Sequence, residues 1–193
     1  VLIDTDNAVV LSDLSIIGGT SNKFPLNIYT SPNVTLNNVS VTNVFTNGGA
    51  MLVNASSVTV TGNLSVSTAA GSWYGVGVES TDPILTFAAG SKMTYANTDD
   101  GSYNAEGPAA ICVDKPTQYT NAIAGYEEAG LAEPTRNEKQ QDLYYLAQAA
   151  DVEVSEVTLD QTAVTLKSGE TVQLHATVNP ENATNKTVTF SAD

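Results

Sequence analysis

The chain has 193 residues, with 7 basic against 21 acidic side chains, a formal charge of −14 at pH 7, 41 % hydrophobic residues and 15 % charged. That length holds one large or two modest domains, and the negative field repels polyanions, which excludes nucleic acid and anionic membrane surfaces as partners. An acidic polysaccharide would be poorly attracted unless calcium bridged the two.

No run approaches the length of a membrane span, so no membrane insertion is expected in this segment. The single cysteine, Cys112, can form neither an intramolecular disulfide nor a zinc site. Flanked by Ile111 and Val113, it reads as inert strand core. Asn, Thr, Ser, Val and Gly are abundant, which suits β structure with polar turns.

Residues 1–3 and 8–11 supply the first strands, with Asp4, Thr5, Asp6 and Asn7 as a turn. Beginning at Val1 in strand-like sequence presents a bare, pairing-competent edge, so upstream coils or a cap are expected. From residue 9 to residue 78 an apolar pattern returns every 25 positions: Leu14, Val39 and Leu64; Ile16, Val41 and Val66; Leu26, Met51 and Val76; Ile28, Val53 and Val78. Val9 and Val34 keep the same step, and Ile84 lies two steps beyond Val34. Within each unit the apolar residues are two apart, which is strand spacing with one face inward. A fixed period of this kind predicts a solenoid in which each coil buries its face only by stacking on the next. Each coil is expected to hold three short strands and three turns. Asp13, Asn38 and Asn63 precede one strand of successive coils, where a short polar side chain tolerates a left-handed bend and can bond along the stack.

A fourth coil starts at Ile84, Leu85 and Phe87, with a bend at Gly90 and Ser91, and then the period fails. Residues 97–104 read as an inserted loop, because Val78 to Val113 spans 35 residues, one loop more than the period. From Pro116 the character changes, and residues 122–131 and 135–150 are expected to be helical. The second carries a capping box at Thr135 and Glu138 and an apolar stripe of Leu143, Leu146, Ala147 and Ala150. This reads as a helical cap over the last coil, with a partner-binding helix as the alternative. From Val154 the pattern is β again, and Val172, Leu174, Ala176 and Val178 alternate strictly, as in a strand with one buried face.

The repeat and the turn column at 13, 38 and 63 resemble the right-handed parallel β-helix architecture shared by pectate lyases, polygalacturonases and many bacterial surface proteins. The tail is more specific. Val157-Thr158-Leu159-Asp160, Val164-Thr165-Leu166-Lys167, Gly169-Glu170-Thr171, Leu174 to Pro180, Ala183 to Lys186 and Val188 to Asp193 resemble the opening half of a bacterial Ig-like domain of the group 2 type, with Phe190 where that family usually has Trp. The expected class is therefore mainly β: a right-handed parallel β-helix over 1–115, a short helical cap or linker over 116–152 and a partial Ig-like β-sandwich over 153–193. Missing residues or another chain would complete the sandwich. The resemblance implies an extracellular protein, secreted or on a bacterial cell surface, with further domains of the same polypeptide on both sides.

Candidate chemistry is sparse. The acidic loop around Asp99 and Asp100 contains an Asn-Thr-Asp motif and an Asp-Asp pair, as polygalacturonases do, whose carboxylates serve as acid and base on a glycosidic bond. The Gly-His-Gly and Arg-Ile-Lys motifs of that family are absent, and the only His, His175, lies in the tail. No catalytic residue and no resident cofactor or metal is expected, although Asp82, Asp99 and Asp100 could gather calcium. Trp73 and Tyr74 at a Gly-rich bend, with Tyr103 and Tyr29 on nearby coils, are candidates for stacking against sugars. A non-catalytic adhesion or glycan-binding fragment is the first expectation, its partner a polysaccharide or a cell-surface glycoprotein of a host. The alternative is the end of a polysaccharide lyase or glycoside hydrolase whose active site lies mostly upstream.

Overall fold

A computed structural model describes residues 1–18, 24–46, 48–80, 82–97, 109–115, 122–147, 152–181, 183 and 185–191. They fall into two compact units, Val1–Ala147 and Gln148–Asp193.

In the first unit the chain winds lap upon lap. β1 (Leu2–Asp4) and β2 (Val9–Gly18) open it, and β3 (Leu26–Tyr29) and β4 (Val34–Asn43) form the second lap. The third holds β5 (Met51–Asn54), β6 (Ser57–Val60) and β7 (Asn63–Thr68), the fourth β8 (Tyr74–Glu79), β9 (Ile84–Phe87) and β10 (Lys92–Asn97). Then come β11 (Ala109–Val113), β12 (Ile123–Ala124), β13 (Thr135–Arg136) and β14 (Asp142–Tyr144). One sheet stacks β1, β3, β5, β8 and β11 in parallel; another joins β2, β4, β6, β7, β9, β10 and β12. This is a right-handed parallel β-solenoid.

The register follows the period. Leu14 lies against Val39 and Val39 against Leu64, while Ile28, Val53 and Val78 sit side by side on three strands. Beyond the inserted loop Val78 pairs with Val113. Inward side chains stack on their own kind about 4.8 Å apart, giving a core in which Leu26, Ile28, Leu36, Met51, Val53 and Leu64 are fully buried.

Two expectations about the laps are refined. In the first two, the second and third strands run on as β2 and β4, bent at Asp13 and Asn38, which both adopt φ 52°. The Asn38 Nδ2 donates to Asp13 Oδ1 at 2.9 Å and the Asn63 amide donates to Asn38 Oδ1 at 3.2 Å, so the polar column bonds along the stack as expected. The third lap has one extra residue at this corner. Val34 therefore pairs with Val58. In the fourth lap the step from Val78 to Leu85 is seven positions where that from Val53 to Val58 is five, so Val58 pairs with Leu85. Ile84 pairs with Ser57 instead of continuing the Val34 column, and it faces outward. Gly62 admits the extra residue, because a Cβ there would lie 2.7 Å from the Asn38 side-chain oxygen.

A second corner was not anticipated. Thr30, Ala55, Ser80 and Lys115 each follow a strand of the first sheet in the left-handed region. Beside them Ser31 receives the Thr5 amide at 3.1 Å, and Ser56 receives the Ser31 amide at 2.9 Å.

The helical cap is overturned: no helix occurs among the described residues. Residues 122–131 form β12, paired with β9, and then a tight turn between Gly125 and Gly130, both at positive φ. Thr135 and Arg136 form β13 instead of a capping box, and Asn137 turns the chain by accepting from the Lys139 and Gln141 amides. Leu143 belongs to β14, which runs antiparallel against β11, and Leu146 bridges Leu131. Ala150 lies outside the described residues. The physical reason is the last strand of the parallel stack. Its unpaired N–H and C=O groups are costly to leave buried, and a strand satisfies them where a helix cannot. Tyr144 is buried and meets Tyr126 edge-on at 5.5 Å, and Leu146 packs partly buried against the core, while Ala147 is exposed.

In the second unit β15 (Glu156–Leu159) pairs antiparallel with β16 (Ala176–Asn179). Of the run expected to alternate in one strand, Leu174, Ala176 and Val178 are half-buried, but Val172 is exposed and the strand begins only at Ala176. Val157, Leu159, Val164, Leu166, Val172 and Phe190 are exposed, and among the described residues of this unit only Ala183 is buried.

Candidate functional site

The outer face of the first sheet carries a groove of about 320 Å³ lined by Trp73, Tyr74, Glu79, Ala109, Cys112, Asp114, Asn137, Lys139, Gln141 and Leu143. Its volume is at the lower end of those that hold small ligands. Three segments build it. β8 presents Tyr74 and Glu79, β11 presents Ala109 and Cys112 with Asp114 just beyond, and the turn and strand from 137 to 143 form the far side.

The aromatic side follows from a glycine. A Cβ on Gly77 would lie 2.8 Å from the Tyr74 ring and 3.1 Å from its hydroxyl. Only a bare α-carbon lets the Tyr74 side chain lie back along its own strand. Phe24 stacks on that ring at 6.2 Å with planes 20° apart, and Trp73 meets it edge-on at 6.3 Å. Trp73 is 36 % exposed, so part of the indole face is open to solvent. An amphipathic ring beside polar groups suits the apolar C–H face of a sugar.

The polar side follows from register. Glu79 and Asp114 come directly after the paired residues Val78 and Val113, and the Asp114 amide donates to the Val78 carbonyl at 2.9 Å. Glu79 accepts from Asn54 Nδ2 at 3.2 Å, and Asp114 accepts from Gln141 Nε2 at 3.4 Å. Asp142 is engaged outside the groove lining in a two-point pair with Arg136, at 2.7 and 2.8 Å. Cys112 lines the same groove as these carboxylates and Lys139. Burial, followed by the Asp114 and Glu79 charges, pushes its thiol up to about 12, so it stays protonated and unreactive near neutrality.

Of the residues expected to bind sugar, Trp73 and Tyr74 share this groove. Tyr29 is exposed on the same sheet and shares a column with Asn54 and Glu79. Tyr103 and the acidic loop of Asp99 and Asp100 lie outside the described residues. Asp82 is exposed, and among the described residues no cluster of three or more His, Cys, Asp or Glu side chains could hold a metal ion. Lys92 lies in a different groove, of about 500 Å³, with Asp13, Asn38, Asn63 and Ser65.

The sequence reading missed Glu79, Asp114, Asn137, Lys139 and Gln141. The first two were within reach, because they follow Val78 and Val113 in a column already recognised. The other three were hidden by the expected helix, which assigns Asn137 and Gln141 no common face with a solenoid strand.

Residues 153–193 match the family model of the bacterial Ig-like domain (group 2). Searches among curated proteins and among solved structures returned no match. The chain is thus a right-handed parallel β-solenoid followed by a bacterial Ig-like domain (group 2), an architecture typical of bacterial surface and secreted proteins.

Proposed function

We propose that the chain is a non-catalytic, carbohydrate-binding part of a bacterial surface or secreted protein, with the solenoid groove as its binding site and the Ig-like region as a spacer. The observation that carries this reading is the partly exposed Trp73, set edge-on to Tyr74 in a groove whose lining also holds the carboxylates of Glu79 and Asp114 and the amides of Asn137 and Gln141. Apolar ring faces with convergent hydrogen-bonding groups are what a pyranose needs, since each sugar ring has a C–H face and a hydroxyl edge. The partner is a polysaccharide or a glycoprotein on a cell surface.

Glu79 and Asp114 also support a second reading, in which the groove belongs to a polysaccharide-cleaving enzyme with further residues elsewhere. Each carboxylate accepts from a neighbouring amide, an arrangement suited to holding hydroxyls.

The test is a glycan-array screen followed by calorimetry on the best hit. Trp73→Ala is expected to weaken binding at least tenfold. Unchanged affinity in that variant would remove the groove from the account. Polysaccharide turnover that vanishes in Asp99→Asn would replace binding by catalysis.

A further inference from the structure

We infer that the groove selects a glycan bearing free amines, an oligomer of hexosamine, over N-acetylated or uronic-acid chains; this rests on the groove being the sugar site.

The argument is one of charge placed next to an aromatic wall. Two carboxylates, Glu79 and Asp114, line the groove against one ammonium, Lys139. The third nearby carboxylate, Asp142, is consumed by Arg136 in a two-point pair. A sugar seated on Trp73 and Tyr74 therefore meets an excess of one negative charge, within a chain whose formal charge is −14. Both carboxylates keep capacity to accept further hydrogen bonds, because among the described residues each receives one side-chain bond, from Asn54 or Gln141, and an ionised carboxylate offers about four lone-pair sites.

An ammonium donates three hydrogen bonds and gains charge assistance that a hydroxyl lacks. N-acetylation keeps the ring and removes that charge. A uronate adds a negative charge that must enter the same field. The protein supplies recognition only, and no bond in the glycan changes.

The probes are a glucosamine tetramer, its fully N-acetylated counterpart and tetragalacturonate, titrated calorimetrically against the whole chain. The expected result is at least tenfold tighter binding of the free-amine tetramer than of the acetylated one, with tetragalacturonate weakest. That ratio should shrink as salt is raised from about 0.05 to 0.5 M, since the Debye length shortens severalfold. Glu79→Gln and Asp114→Asn should each lower the ratio, whatever happens to the absolute affinities. Trp73→Ala should weaken both amino-sugar tetramers together. Tetramers that bind and depend on Trp73 but show no amine preference would overturn this inference alone. Failure of every tetramer to bind, or binding indifferent to Trp73, would overturn the groove assignment and this inference with it.

Discussion

Val53 is the residue at which the stacking argument can be tested most directly. It sits in the middle of a column formed by Ile3, Ile28, Val53, Val78 and Val113, one residue from each of five adjacent strands, and is itself fully buried. Val53→Ala removes about two carbons, worth roughly 0.8 kcal/mol each by transfer, and the void left between two neighbours raises the cost to about 2–3 kcal/mol. With a urea dependence of about 2 kcal/mol per molar for a domain of this size, the midpoint should fall by about 1 M. Val53→Asp should do more, because an unpaired charge there has no water and no counterion. Its cost, on the order of 4 kcal/mol or more, should open the laps on both sides.

Val10, 66 % exposed on the outer face of β2, is the control. Val10→Ala should cost less than about 0.5 kcal/mol. The assay is urea unfolding followed by far-ultraviolet circular dichroism and by the fluorescence of Trp73, the chain's only tryptophan. A Val53→Ala midpoint within about 0.2 M of the parent, or a Val10→Ala loss of equal size, would refute the reasoning.

Asn38 combines a left-handed backbone with two side-chain bonds along the stack, so Asn38→Ala should cost about 2–3 kcal/mol and Asn38→Gly less, since glycine keeps the backbone without strain; the reverse order in urea midpoints would contradict this. Burial and the neighbouring Asp114 and Glu79 charges hold the Cys112 thiol from 9.0 up to about 12, and burial with Asp142 lifts the Tyr144 phenol from 10.0 to about 12. Both folded values lie above the unfolded ones, so their contribution is complete below about pH 9 and is lost as pH rises from 9 towards 12. Urea midpoints should be level from pH 7 to 8.5 and decline above it, with a shallower decline in Cys112→Ser; an identical slope in that variant would count against the buried thiol. Gly77→Ala should push the Tyr74 ring off its strand, because the new Cβ meets it at 2.8 Å, and a binding assay should then show a loss similar to that of Trp73→Ala; retained binding would mean that the ring's position does not matter.

The periodic part of the chain was legible because stacking converts a three-dimensional neighbour into a fixed sequence step. Leu14, Val39 and Leu64 had to be of one kind because they occupy one column, and Asn38 announced its bend by being a residue that tolerates positive φ. The same logic failed at Ile84, since the step from Val78 to Leu85 is seven positions where that from Ile28 to Val34 is six, so Leu85 and not Ile84 enters the column. It failed again at Thr30, Ala55 and Ser80, whose left-handed conformations are imposed by the corner and have no side-chain signature.

What the sequence by itself determined, then, is the winding: like residues at a constant interval can hide from water only by stacking, and the tail carries its family pattern in consecutive residues. What only the tertiary structure decided is how the last lap is closed and what lies on the outer face. Leu143 and Leu146 read as a helical stripe, yet the open edge of β11 offers hydrogen-bonding groups that a strand alone can satisfy. That closure brings Asn137, Lys139 and Gln141 beside Glu79 and Asp114, residues more than twenty positions away along the chain. No local pattern encodes such a meeting, because it follows from an unpaired sheet edge and not from the residues that meet there.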